Sequence, residues 1–286
     1  MWLPYIHLPH EKVELPPLTV RLELPAKPAT QPATKAEPAD PITKPGHQAP
    51  RKPATQEMAE MAKADESGVI QPFPKHVQLT FAVHHSADGF LSGEILHRLD
   101  INGSSYTLTA TRHAAGPASL RNSDTLTQTS RGKIGEHGLE PQIFEEEEIS
   151  KDGKQNRHAT FDRTTQKLRY SDGNETALPE NAQDILSFMY QLSQVPMNGE
   201  FFPLPISDST HLEQLQIEIG IKEDIATPMG KLRALHLRKM HTQGEAYFDI
   251  WLGLEYHLLP LKFSEVDGSG NVTEEIVISD LRASNK

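Results

Sequence analysis

From residue 77 the chain alternates apolar and polar side chains with a period of two. Val77, Leu79, Phe81 and Val83 are separated by Gln78, Thr80 and Ala82, the pattern of a half-buried strand. Asp88-Gly89 predicts a turn, and Ile95 and Leu99 share one face of a second strand closed by Asn102-Gly103. Tyr106, Leu108 and Ala110 alternate with threonines on a third. Two tight turns in quick succession predict an antiparallel meander. The Thr-rich stretch Leu120–Arg131 reads as a strand near a sheet edge. Strands are also predicted over Ile143–Ile149, Arg157–Arg163 and Lys167–Tyr170, joined by turns at Lys151–Lys154 and Ser171–Asn174.

One segment changes period. Ala182, Ile185, Met189 and Leu192 recur at helical spacing with Leu186 beside them, between Pro179 and Pro196, which predicts one long helix over 182–194. Alternation then resumes through Leu215–Ile221, Leu232–Met240, Phe248–Leu254 and Leu259–Phe263. The hairpin turn Asp267–Asn271 leads to Ile276 and Ile278. Nine or ten strands and one helix predict a mainly β fold, a strongly curved antiparallel sheet or open barrel with the helix against its concave face. A sheet of this size must curl or close to protect its edges.

Before residue 75 the pattern is different. Of the 22 prolines, 14 lie in residues 1–74. Each fixes φ and removes a donor, so ladders do not propagate. Residues 1–74 therefore read as a Pro/Ala/Lys-rich disordered spacer and 75–286 as a single β-rich domain. Over residues 11–66, eight Lys and Arg face nine Asp and Glu. A short helix is predicted at Gln56–Ala64. Met1–His10 carries Trp2, Tyr5 and Ile6, residues that favour the water-side end of a membrane helix. The expectation is that an anchor helix precedes Met1; the plainer alternative is a frayed cytoplasmic N-terminus.

Composition narrows the classes. With no cysteine, disulfide scaffolds, thiolate metal sites and cysteine nucleophiles are excluded. The net charge of −11 without a basic stripe argues against nucleic acid as a partner. No apolar run of 18 residues is present, so nothing in the chain reads as a bilayer span.

Several strings carry a resemblance: Ser130-Arg131-Gly132-Lys133-Ile134 with Gly138-Leu139-Glu140-Pro141, Ala159-Thr160-Phe161-Asp162, Gln183-Asp184-Ile185-Leu186-Ser187, Thr227-Pro228-Met229-Gly230, and Ile250-Trp251-Leu252 with Leu259-Pro260. In this order they resemble the bacterial domain-of-unknown-function family 3108, over roughly residues 76–283. The resemblance implies a Gram-negative envelope protein, in the periplasm or anchored to the inner membrane facing it. It also implies a β-rich domain shaped like the half-barrel of a lipoprotein carrier or a lipocalin, and no catalytic residue. The chain departs from the family pattern in showing no signal or anchor.

Candidate chemistry is sparse. His84 and His85 are adjacent on a strand and face opposite ways. His97 could meet either across the first hairpin, but nothing supplies a third ligand, so no metal and no cofactor is expected. Glu145–Glu148 reads as a solvated face, paired across strands with Lys151, Lys154 and Arg157. Asp267–Glu274 imitates a calcium loop yet lacks glycine at its sixth position and glutamate at its twelfth, so a hairpin turn is expected. Gly138 is expected to serve a turn, Pro141 to start a strand and Asp162 to cap the following turn. The aromatic residues Trp251, Tyr106 and Phe161 are the candidate ligand-binding positions, with Trp251, alternating away from Ile250 and Leu252, expected as an anchor for the concave face or the helix.

Three readings follow. The first is a non-enzymatic envelope module on a Pro-rich tether, binding a lipid, another apolar ligand or a partner protein. The second is a hydrolase-type enzyme using histidine and carboxylates, and the third a scaffold whose spacer is the bound element. Membrane association is expected only through an anchor ahead of the present start.

Overall fold

The computed structural model describes residues 72–85, 89–115 and 124–285. The spacer, the Gln56–Ala64 helix and the N-terminal aromatic residues lie outside them. The described chain is mainly β. Fifteen strands, β1 to β15, form one sheet in the order β8-β7-β6-β5-β4-β3-β2-β1-β15-β14-β13-β12-β11-β10-β9. The first half is a meander of β1 (His76–His85), β2 (Leu91–Asn102), β3 (Ser105–Ala114), β4 (Thr125–Gly135), β5 (Gly138–Ser150), β6 (Gly153–Asp162), β7 (Lys167–Tyr170) and β8 (Glu175–Ala177). The second half runs β9 (Gln183–Asp184), β10 (Phe201–Ser207), β11 (Leu212–Thr227), β12 (Gly230–Lys239), β13 (Tyr247–Gly253), β14 (Pro260–Val266) and β15 (Val272–Ser284). β15 returns to pair with β1, so the first and last strands sit side by side in the middle of the sheet.

Alternation sets the faces as the pattern requires. Val77, Leu79, Phe81 and Val83 of β1 are buried, as are Ile95 and Leu99 of β2 and Tyr106, Leu108 and Ala110 of β3. With Phe144, Ile250, Leu252, Phe263, Ile276 and Ile278 they enter one continuous core on the concave side.

Three expectations change. The predicted long helix is a five-residue helix α1 (Ser187–Gln191) followed by a 3-10 turn at Leu192–Gln194. The reason is local. Asp184 Oδ1 accepts the backbone N–H groups of Leu186 and Ser187, a side-chain bond that competes with helix hydrogen bonding. The residues before it are drawn into β9, parallel to β10 through Ile206 and Ser207. Second, β4 is not an edge strand, for it lies between β3 and β5. Its polar Gln128 and Ser130 are buried because other buried side chains bond them. Third, the strands exceed the expected number, since β8 and β9 are too short for a period to show and β10 carries Pro203 and Pro205.

The sheet does not close by strand pairing. Its two ends meet instead through side chains and the 178–195 segment. Tyr170 of β7 bonds Ser207 of β10 at 3.0 Å. Gln183 Nε2 donates to the Leu139 carbonyl of β5 at 2.8 Å, and the Leu139 N–H donates to Gln191 Oε1 at 2.7 Å.

Candidate functional site

The interior was the expected ligand space, and α1 occupies it. Leu186, Phe188, Tyr190 and Leu192 are all buried, and Phe188 packs on Phe248 with ring centroids 5.9 Å apart. Beside Met189, a gap of about 20 Å³ remains among Phe81, Ile95, His97, Phe263 and Ile276. Drug-sized ligands need roughly 300 Å³ or more. A second, open groove of about 280 Å³ lies on the surface at the start of β1, where His76 bonds Asp100 at 2.8 Å.

Two of the three aromatic candidates belong to this interior. Tyr106 bonds Ser130 at 2.9 Å, and Ser130 donates to Asp184 Oδ2 at 2.5 Å. Burial raises the Asp184 carboxyl above the usual carboxylate range, and burial with the nearby Asp184 charge raises the Tyr106 phenol. This chain ties the root of α1 to the sheet. Phe161 on β6 is buried opposite Leu168 of β7.

Trp251 is elsewhere. It alternates away from the buried Ile250 and Leu252 and is only partly covered. Its ring stacks on His236 at 4.6 Å, Lys262 Nζ sits 4.8 Å from its centroid, and its Nε1 donates to Glu223 at 2.7 Å. Asp249 joins the ladder, bonding His236 at 2.8 Å and Arg238 at 2.7 Å. These contacts make a well-connected strip across β11 to β14. Its members belong to separate strands, so their meeting was not visible along the chain. The geometry therefore brings Tyr106 and Phe161 into one core and leaves Trp251 partly buried at its margin.

The histidines do not assemble. His97 stands opposite Leu79 and His84 opposite Leu91, so no pair forms across the first hairpin. His97 is buried against Tyr190, with Nδ1 3.2 Å from the hydroxyl, and burial lowers its pKa to about 3. Among the described residues no group of three His, Asp or Glu side chains is placed to hold a metal ion.

The glutamate run divides. Lys154 pairs with Glu147 at 2.7 Å, and Arg157 with Glu146 and Glu148 at 3.2 and 3.4 Å, the cross-strand pairing expected. Arg131 takes Glu145. Glu146 departs from the solvated-face reading, being buried and bonded by Gln128 at 3.0 Å, and burial raises its pKa. Sequence reading also missed Glu265 and Glu274, which face each other in the β14–β15 ladder. Arg112 grips Glu274 with two bonds, at 3.0 and 2.6 Å. Glu265 Oε1 has no hydrogen-bond partner, and burial with the Glu274 charge pushes the Glu265 carboxyl up to about 8. An alternating strand pattern would need these positions to be apolar, and that mismatch was the available signal.

The turn expectations hold. Asp162 Oδ1 accepts the Thr164 and Thr165 N–H groups, and Asp267 Oδ1 those of Ser269 and Asn271. Gly138 has φ +106° and opens β5. Pro141 does not start a strand as expected but lies inside β5, opposite Gly132 at a bulge.

No helix among the described residues is long and apolar enough to cross a membrane. Three solved structures are similar to the chain. A β-barrel-like protein of domain of unknown function 1849 from Brucella abortus is 9% identical, with a TM-score of 0.48 over 74% of this chain and 99% of that one. A candidate lipoprotein from Parabacteroides distasonis is 11% identical, with a TM-score of 0.35 over 73% and 97%. A candidate exported protein with a YmcC-like fold from Bacteroides fragilis is 11% identical, with a TM-score of 0.34 over 74% and 98%. No curated protein matches the chain. The family model described as protein of unknown function (DUF3108) matches residues 80–277, well over half of the length, and the chain belongs to that family.

Proposed function

We propose that this protein is a non-enzymatic binding module of the cell envelope, and that it engages a partner protein through its surface rather than holding a lipid inside. One observation carries this reading: α1 and its flanks pack into the concave face, and the gap beside Met189 is about 20 Å³. An acyl chain would have to displace Phe188, Tyr190 and Leu192 and break the Ser130–Asp184 tie. The charged groups favour binding over hydrolysis as well. His97 is engaged with Tyr190 in the core, and His236 lies in a surface ladder with Asp249, Arg238 and Trp251. The envelope location is supported by the Pro-rich N-terminal tract and the aromatic residues at its start.

Native mass spectrometry of the full chain purified from its host envelope tests the reading. The expected result is a lipid-free mass, with protein adducts after chemical cross-linking in cells. A stoichiometric lipid adduct that survives purification would overturn it in favour of an interior ligand.

A further inference from the structure

β11 is 16 residues long, but β10 covers only Leu212 to Glu218. From Lys222 to Thr227, after a bulge at Gly220 and Ile221, it pairs with β12 alone, and among the described residues no strand lies on its other side. The remaining edges of the sheet are treated differently. β8 has three residues, and β10 carries Pro203 and Pro205, devices that discourage further pairing. The β11 edge has no proline and is flanked by Ile221 and Phe201, exposed at 67% and 57%.

The N-terminal tract contains one segment that matches it. Between Pro16-Pro17 and Pro25 runs Leu18-Thr19-Val20-Arg21-Leu22-Glu23-Leu24, a strict apolar/polar alternation of strand length. We propose that Leu18–Leu24 adds to the free edge of β11 as an antiparallel strand of the same chain.

Charge fixes the register. Setting Glu23 opposite Lys222 also sets Arg21 opposite Asp224, Val20 opposite Ile225 and Leu24 opposite Ile221. Opposite charges then meet on one face of the added strand and apolar pairs on the other, the contacts that stabilise neighbouring strands. A shift of two residues keeps the faces but opposes like charges, Arg21 with Lys222 in one direction and Glu23 with Asp224 in the other. A parallel alignment that keeps Arg21 against Asp224 places Glu23 against Ala226 and loses the second ion pair. Leu22 would lie against Glu223, beside Trp251.

Reach is sufficient. β1 starts at the end of the sheet where β15 finishes and where Thr227 pairs with Gly230, whereas the added strand would hand on to residue 25 beside Ile221, about 20 Å further along β11. Five strand spacings of about 4.8 Å separate β1 from β11, roughly 24 Å across the sheet, so the whole span is about 31 Å. Residues 25–71 intervene, and as a random coil they span roughly 35 Å. Strand addition joins the two in one molecule.

The chain has no cysteine of its own, so a disulfide trap on the full-length protein is clean. The E23C/K222C double variant is expected to form an intramolecular disulfide under a glutathione redox buffer. The control E23C/T176C, aimed at the β8 edge, is expected to stay reduced. In the otherwise native full chain, amides of 220–227 should exchange at least about tenfold more slowly than in a Leu22→Pro variant, which alters only the tract and leaves the domain sequence intact. Equal exchange with no trapped monomer overturns the proposal. Cross-linking only between two molecules, rising with concentration, also overturns it and gives the edge to a second copy.

Discussion

Glu265 and Glu274 place two carboxyl groups opposite each other on neighbouring strands, with Arg112 bonded to Glu274. Arg112 neutralises Glu274, and Glu265 is left to burial and repulsion, so it keeps its proton in the fold up to pH about 8. The unfolded chain releases that proton near pH 4.5, so the native state binds more protons between the two values. The stabilisation is full below 4.5 and is lost as pH rises toward 8. Glu265→Gln is neutral at every pH, so its melting temperature should exceed the parent's by a few degrees at pH 8.5 and match it at pH 4.5. Circular dichroism at both values measures this, and an unchanged pH slope would refute the assignment. Asp184 is the second decisive residue. Asp184→Ala strips Ser130, Leu186 and Ser187 of a buried acceptor and should cost about 2–4 kcal/mol in urea unfolding. Asp184→Asn keeps an acceptor for the two backbone groups and should cost clearly less.

α1 is short because Asp184, just before it, ties up the Leu186 and Ser187 N–H groups, yet its last residue anchors it to β5. Its Gln191 carboxamide accepts from the Leu139 N–H and donates to the His137 carbonyl at 2.6 Å. Gly138, between them, makes that approach possible. A Cβ there would lie 2.3 Å from Gln191 Oε1, and φ is +106°. Gly138→Ala therefore combines backbone strain with a displaced Gln191 and should destabilise the fold by roughly 2 kcal/mol or more. Faster proteolysis within 178–195 than elsewhere would locate the loss at this segment. The apolar spacing at 182–192 signalled a buried helix correctly in kind. It did not show the length, because Gln183 and Asp184 are polar residues whose bonds go to β5, β4 and the following backbone, and a periodicity count is blind to those partners.

At the scale of the molecule, a sheet of fifteen strands curls until β7 and β10 come within hydrogen-bonding reach. Side chains rather than ladder bonds hold that seam, so it should be the weakest line in the core. Tyr170→Phe removes the bond to Ser207 and should cost about 1 kcal/mol. Hydrogen exchange should quicken in β7 and β10 while the β1–β15 pair stays protected. Uniform acceleration across the sheet would show that the seam is not a separate unit.

The sequence by itself determined the β class, most strands and turns, and the identity of the core. A period of two states which side of a strand is buried wherever one face meets a core. Val77 to Val83 and Ile250 with Leu252 obey it. The family was legible too, in short strings whose glycines, prolines and turn aspartates are set by local backbone geometry. The tertiary structure alone decided which distant residues meet. Ser130 with Asp184, Arg112 with Glu274, and Trp251 with His236 and Glu223 each join residues from different strands. It also decided that α1 packs into the concave face, because whether a segment plugs a curved sheet depends on volumes and side-chain bonds that no one-dimensional pattern records.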